Sequence, residues 1–237
     1  FSTEEDFLTR GPVPADGNPI ISDGDLLGPN CIICARNADL IAPFDIPGSY
    51  DLGLDAADVL VMQDAAGAGQ MQVLAFSTEL DSSNTGQFTA GDLLIVGTHT
   101  AIIPNVALLK KVYGQGYPPM DFGLDAVHFV GSPESIWAFL QSVDLLSRQD
   151  FVNNPDLLAT YLARTQIDIW FSTEGTGDTP SSPRFLDGDL ISAGTGAIVL
   201  SNADLLPDTV PAGIPKRGVD FGLDLSLIHI SEPTRLR

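Results

Sequence analysis

Six aspartates recur in the form Asp-x-Gly-x-Asp: Asp51 and Asp55, Asp121 and Asp125, Asp220 and Asp224. Residues one and five of such a loop can offer carboxylates, and the central Gly permits the curvature needed to wrap a hard cation. Ca²⁺ takes six to eight oxygens, and Asp- and Gly-rich loops supply them. Two further pairs, Asp23 with Asp25 and Asp187 with Asp189, flank a Gly, while the corresponding middle segment has Ala90 in place of its first Asp. The spacing is not that of an EF-hand, because the twelve-residue frame and its closing Glu are missing. A second reading stands beside Ca²⁺: Asp51, Asp121 and their copies accept backbone N–H bonds in Asx-turns, with Gly53 and Gly123 at positive φ.

Other chemistry is less supported. Phe-Ser-Thr-Glu recurs at residues 1–4, 76–79 and 171–174, but no Gly-x-Ser-x-Gly elbow surrounds the serine and no His accompanies it. Ser2, Ser77 and Ser172 read as strand residues beside a buried Phe. Glu79 and Glu174 could pair with an Asp as acid and base, yet a residue present in every copy normally serves the fold. His128 alternates with Val127 and Phe129 on an expected strand and reads as structural; His99 falls in a turn and reads as solvated. Cys31 and Cys34 stand three apart on an expected strand, about 10 Å between Cα atoms. That is too far for a local disulfide, so both read as small buried thiols. Trp137 and Trp170 with Tyr113, Tyr117 and Tyr161 could stack on carbohydrate or simply pack.

The elements that position these residues come from an ordered set of signatures. Phe-Ser-Thr-Glu is followed by Gly-Asp-Leu (24–26, 91–93, 188–190), then Asn-x-x-Leu (37–40, 105–108, 202–205), then Asp-x-Gly-Leu-Asp (51–55, 121–125, 220–224). Three ordered copies of four signatures predict tandem duplication. Within the last full copy, residues 126–130, 167–172, 190–193 and 197–200 are β-branched or aromatic runs bounded by Gly, Pro, Asp or Ser, which reads as four strands. The expected fold is therefore all-β: tandem four-stranded antiparallel repeats, partly β-propeller-like, with one short helical insertion. The Asp51 to Asp121 spacing is 70 residues and Asp121 to Asp220 is 99, and the difference lies in an insertion at 132–166. There Asn154-Pro155-Asp156 opens an amphipathic helix over 156–165.

These boundaries divide the chain into 1–50, a unit lacking its first strand; 51–120, a unit; 121–219, a unit carrying the insertion; and 220–224, a stub. Residues 225–235, LSLIHISEPTR, resemble letter for letter the translation of a transposase-type sequencing adapter. That resemblance implies that 225–237 are an artefact tail, so that 1–224 is one repeat-domain fragment of a longer reading frame.

Composition agrees with a loop-rich β chain. Of 237 residues, 23 are Gly and 17 Pro, and the 31 acids comprise 25 Asp and 6 Glu, against 11 bases. The net charge of −20 makes nucleic acid and anionic lipid poor partners and cations good ones; without 225–237 it is −21. No run approaches the roughly 20 apolar residues of a membrane span. The Asp-Gly units with Phe-Ser-Thr and Asn-Ala-Asp-Leu elements resemble bacterial secreted or cell-surface acidic β-repeat proteins. The resemblance implies an extracellular or cell-surface place and a scaffold or binding role, with carbohydrate or another surface protein as partner and Ca²⁺ as stabilising ion. The alternative function is a Ca²⁺-dependent hydrolase or lyase on a propeller.

Overall fold

The computed structural model describes residues 2–205 except 4, 30–31, 47–49, 64–69, 83–85, 117, 119 and 180–181. Cys31, Tyr117, Asp220, Asp224 and the adapter-like segment lie outside the described residues. The chain opens with two short hairpins, β1 (Phe7–Leu8) with β2 (Ile20–Ile21) and β3 (Leu26–Leu27) with β4 (Ile33–Ala35), followed by the helical turn α1 (Asn37–Ile41). A four-stranded antiparallel sheet comes next, formed by β5 (Ala57–Gln63), β6 (Gln70–Phe76), β7 (Leu93–Val96) and β8 (Ala101–Ile103) in spatial order β5-β6-β7-β8. The turns α2 (Asn105–Leu108) and α3 (Lys110–Tyr113) lead to β9 (Ala126–Val130). Three helices then intervene, α4 (Pro133–Val143), α5 (Arg148–Asn153) and α6 (Asp156–Thr165), before β10 (Asp168–Ser172). The hairpin β11 (Gly177–Thr179) and β12 (Ser182–Phe185) precedes β13 (Leu190–Ser192), β14 (Ile198–Leu200) and α7 (Asn202–Leu205). The second four-stranded antiparallel sheet has the order β9-β10-β13-β14.

The expected strands at 126–130, 167–172, 190–193 and 197–200 thus fall within a residue of β9, β10, β13 and β14, and mostly antiparallel sheet is what the structure contains. Among the described residues these sheets stay open rather than closing into a ring. The β5–β8 sheet is buried on both faces, which is why Leu93-Leu94-Ile95-Val96 is continuously apolar rather than alternating. Val73, Ala75, Leu93 and Ile95 join the main core with Val127, Phe129, Ile169 and Phe171 of the second sheet. Leu74, Phe76, Leu94 and Val96 face a second core shared with Leu26, Leu40, Ile41 and Phe44.

The insertion is more helical than the sequence reading held: α4 and α5 precede the expected α6. Ser132 caps α4 by accepting the Ser135 N–H, with Pro133 in the first turn. Ser147 and Asp150 form a reciprocal capping box at the start of α5. Phe139, Leu140, Val143, Phe151, Leu158 and Leu162 fill the wedge between the two sheets. Burying each such side chain stabilises by roughly 1.5–3 kcal/mol. No helix of the described residues is long and apolar enough to cross a membrane.

Candidate metal centre

The Asp-x-Gly-Leu-Asp elements fold into turns that split their two carboxylates between different tasks. Asp51 Oδ1 accepts the Gly53 N–H at 3.1 Å and Asp121 Oδ1 accepts the Gly123 N–H at 3.0 Å. Both are Asx-turns, and Asp121 also accepts the Thr89 hydroxyl. Gly53 and Gly123 sit at φ +70° and +71°. A Cβ at Gly53 would lie 2.7 Å from Glu79 Cδ, and one at Gly123 would lie 2.4 Å from Glu174 Cδ. Backbone conformation therefore favours glycine at both positions, and the glutamate from Phe-Ser-Thr-Glu lies close against each.

The fifth residue of each turn points elsewhere. Asp125 immediately precedes β9 and Asp55 lies two residues before β5, and each donates its N–H to a strand-end serine carbonyl, Ser172 or Ser77 respectively. With β5 and β9 side by side, Asp55, Asp125 and Glu174 meet, each offering an oxygen within 4.8 Å of the others. Burial drives the Asp55 carboxyl up to about 9, helped by the Asp125 charge, by a hydrogen bond to Glu174 and by the charges of Glu174 and Glu79. Ionisation of Asp55 is thus disfavoured within the cluster. Three carboxylate oxygens gathered this closely could hold a metal ion. Glu174 is exposed and borders a cavity of about 410 Å³ that Asp81, Asp121, Phe122 and Gly123 also line, so the site is open to solutes.

The other expected acids are held differently. Asp25 and Asp189 are buried and Asp92, their counterpart in the middle copy, is buried too. Each accepts two backbone N–H groups: Asp25 from Ser22 and Asn37, Asp92 from Thr89 and Asn105, Asp189 from Leu186 and Asn202. Arg36 adds a 2.6 Å ion pair to Asp25, and Arg148 of α5 adds one of 2.6 Å to Asp92. Burial still pushes the Asp92 carboxyl up, against the lowering effect of Arg148. Asp23 is raised by burial and by the charges of Asp51 and Asp6. Asp187 accepts the neighbouring Gly188 N–H.

The asparagines that begin α1 and α2 join successive turns. Asn37 Nδ2 donates to the Gly24 and Gly53 carbonyls, and Asn105 Nδ2 donates to those of Gly91 and Gly123. The serines act in parallel: Ser2 Oγ donates to the Leu54 carbonyl at 2.8 Å and Ser77 Oγ to that of Leu124 at 2.7 Å.

The sequence reading named neither Glu174 as a candidate ligand nor the pairing of Asp55 with Asp125. The recurrent Glu of Phe-Ser-Thr-Glu was the available signal. Two of its other readings are corrected, and of the two readings of the aromatics the packing one holds for Tyr113, Trp137 and Tyr161. Cys34 is exposed, not buried, because β4 belongs to a two-stranded edge. His99 is shielded rather than solvated, its ring 4.5 Å from that of Trp137 and its Nδ1 3.2 Å from Asp144. Tyr113 is buried among Phe122 and Phe185, while Trp137 and Tyr161 pack on the main core, leaving no shared stacking face among them. His128 lies on β9, 3.3 Å from Asp58 of β5. No family model, no curated protein and no solved structure matches this chain.

Proposed function

We propose that this chain is a non-catalytic scaffold or binding module of an extracellular or cell-surface protein, built from tandem, propeller-like four-stranded units and stabilised by Ca²⁺ where two units meet. The observation that carries the reading is the convergence of Asp55 and Asp125, the same position of two successive turns, with Glu174. Like charges held this close in a partly buried site destabilise one another unless a proton or cation intervenes. Placement outside the cell supplies Ca²⁺ at concentrations that weak extracellular sites require. The partner class remains carbohydrate or another surface protein.

The test is the melting temperature in millimolar Ca²⁺ against chelator. A rise in Ca²⁺ that disappears in Asp125→Asn supports the ion; identical melting in both conditions removes it. One observation favours the second reading, a Ca²⁺-dependent hydrolase or lyase: the Asp55 carboxyl, pushed up to about 9, is hydrogen-bonded to Glu174, and paired carboxyls of this kind serve in acid–base chemistry. Turnover of an acidic polysaccharide that Asp55→Asn abolishes while Ca²⁺ still raises the melting temperature would establish it.

A further inference from the structure

We propose that the Ser172 end of β10, in the second four-stranded sheet, is an acceptor face for one more Asp-x-Gly-Leu-Asp element, and that its occupant is the chain's own 220–224 segment. The inference rests on the tandem reading of the units but not on Ca²⁺.

The face is marked by the hydrogen bonds of its counterparts. Ser2 and Ser77 each give their hydroxyl to the leucine carbonyl of the following turn, Leu54 and Leu124. Ser172 occupies the third such position, is 0% exposed, and its Oγ has no partner. A buried hydroxyl without a partner is destabilising, and here the two earlier copies name the missing acceptor: the carbonyl of Leu223.

The sequence places that acceptor within reach. Ten residues separate Leu40 from Asp51, twelve separate Leu108 from Asp121, and fourteen separate Leu205 from Asp220. A connection that suffices at ten and twelve residues suffices at fourteen. The 220–224 segment has the same Asp, Gly, Leu and Asp as the two turns that dock.

The test uses the full chain with Ser172→Ala, Gly222→Val and the double variant, with Ser77→Ala as calibrator. If Ser172 donates to the 220–224 segment, Ser172→Ala lowers the melting temperature by about 2–4 °C, as Ser77→Ala does. Gly222→Val, which denies the turn the positive φ of Gly53 and Gly123, also lowers it, and the double variant loses no more than the larger single one. A Ser172→Ala that melts with or above the parent overturns the proposal, as do additive losses. Sedimentation velocity covers the rival occupant: a parent that dimerises, with Ser172→Ala a monomer, assigns the face to a second copy instead. Loss of the Ca²⁺ response would not touch any of these outcomes.

Discussion

If Ca²⁺ binds the Asp55, Asp125 and Glu174 cluster as proposed, it competes there with a proton, and that competition has a sign. The folded chain holds the Asp55 proton up to about 9, while an unfolded aspartate releases it near its ordinary 3.8. Between those limits the folded state binds the extra proton, so unfolding releases it. The contribution is complete below the unfolded value and is lost as pH rises through the folded one. For one proton the slope is about 1.4 kcal/mol per pH unit, which for a chain of this size is roughly 3–5 °C of melting temperature per unit. Melting measured in chelator from about pH 5 to about pH 8 should therefore fall steadily. Calorimetry in saturating Ca²⁺ should show a much flatter profile, because the ion replaces the proton and nothing is released on titration. The gap between the two curves widens with pH; at a hundredfold excess over its dissociation constant the ion adds about 2.7 kcal/mol. Asp55→Asn removes the titrating group, keeps a neutral hydrogen-bonding side chain and should flatten the chelator curve. A chelator profile that is level or rising, or an Asp55→Asn slope equal to the parent's, refutes the reasoning.

Arg148→Ala should leave Asp92 buried without its cation and lower stability by about 2–4 kcal/mol in urea unfolding, reduced from the fully buried case because the arginine is 30% exposed. Adding Asp92→Asn should recover part of that loss. Asn105→Ala should lower stability by about 2–3 kcal/mol, since the Gly91 and Gly123 carbonyls lose a shared donor; an effect under a few tenths would show that water replaces it. Gly123→Ala should destabilise more than an ordinary exposed glycine substitution, by about 1–3 kcal/mol, through both positive φ and the Glu174 contact. The exposed Cys34 should react with a thiol reagent in the native state, and protection until unfolding would contradict its placement.

The parts of this fold that were legible in the sequence are those written in local pattern. Short β-branched runs between Gly and Asp gave the strands of the second sheet almost to the residue, because turn chemistry bounds them on both sides. Helix α6 was legible from its Asn-Pro-Asp start. Helices α4 and α5 carried comparable signals, Ser132-Pro133 and the Ser147/Asp150 box with Ile136, Phe139, Leu140 and Val143 in helical register. The expectation of one short helix at 156–165 leaves both of them out. Asx-turns at Asp51 and Asp121 were one of two open readings, and the backbone geometry is theirs. The meeting of Asp55 with Asp125 was not legible: it depends on β5 lying beside β9, a contact between residues some 70 apart that no local pattern encodes.

That contact also explains why the recurrent acids divide into two kinds. An acid that a repeated element places at the same point of each unit meets its own copy whenever the units stack through that point. Asp25, Asp92 and Asp189 avoid this because each is enclosed by its own unit's backbone N–H groups, which offset the charge locally. Arg36 can serve Asp25 from the adjacent position, but the residue before Asn105 is Pro104, and the cation for Asp92 comes instead from α5. The insertion thus supplies a charge as well as apolar surface. At Asp55 the strongest electrostatic influences besides burial come from other acids, Asp125, Glu174 and Glu79, and all of them raise its carboxyl. On the Ca²⁺ reading, charge at that point is met from solution, by a proton at low pH or a cation at high pH. A chain with a net charge of −20 can keep such a junction closed over a broad pH range only where cations are plentiful.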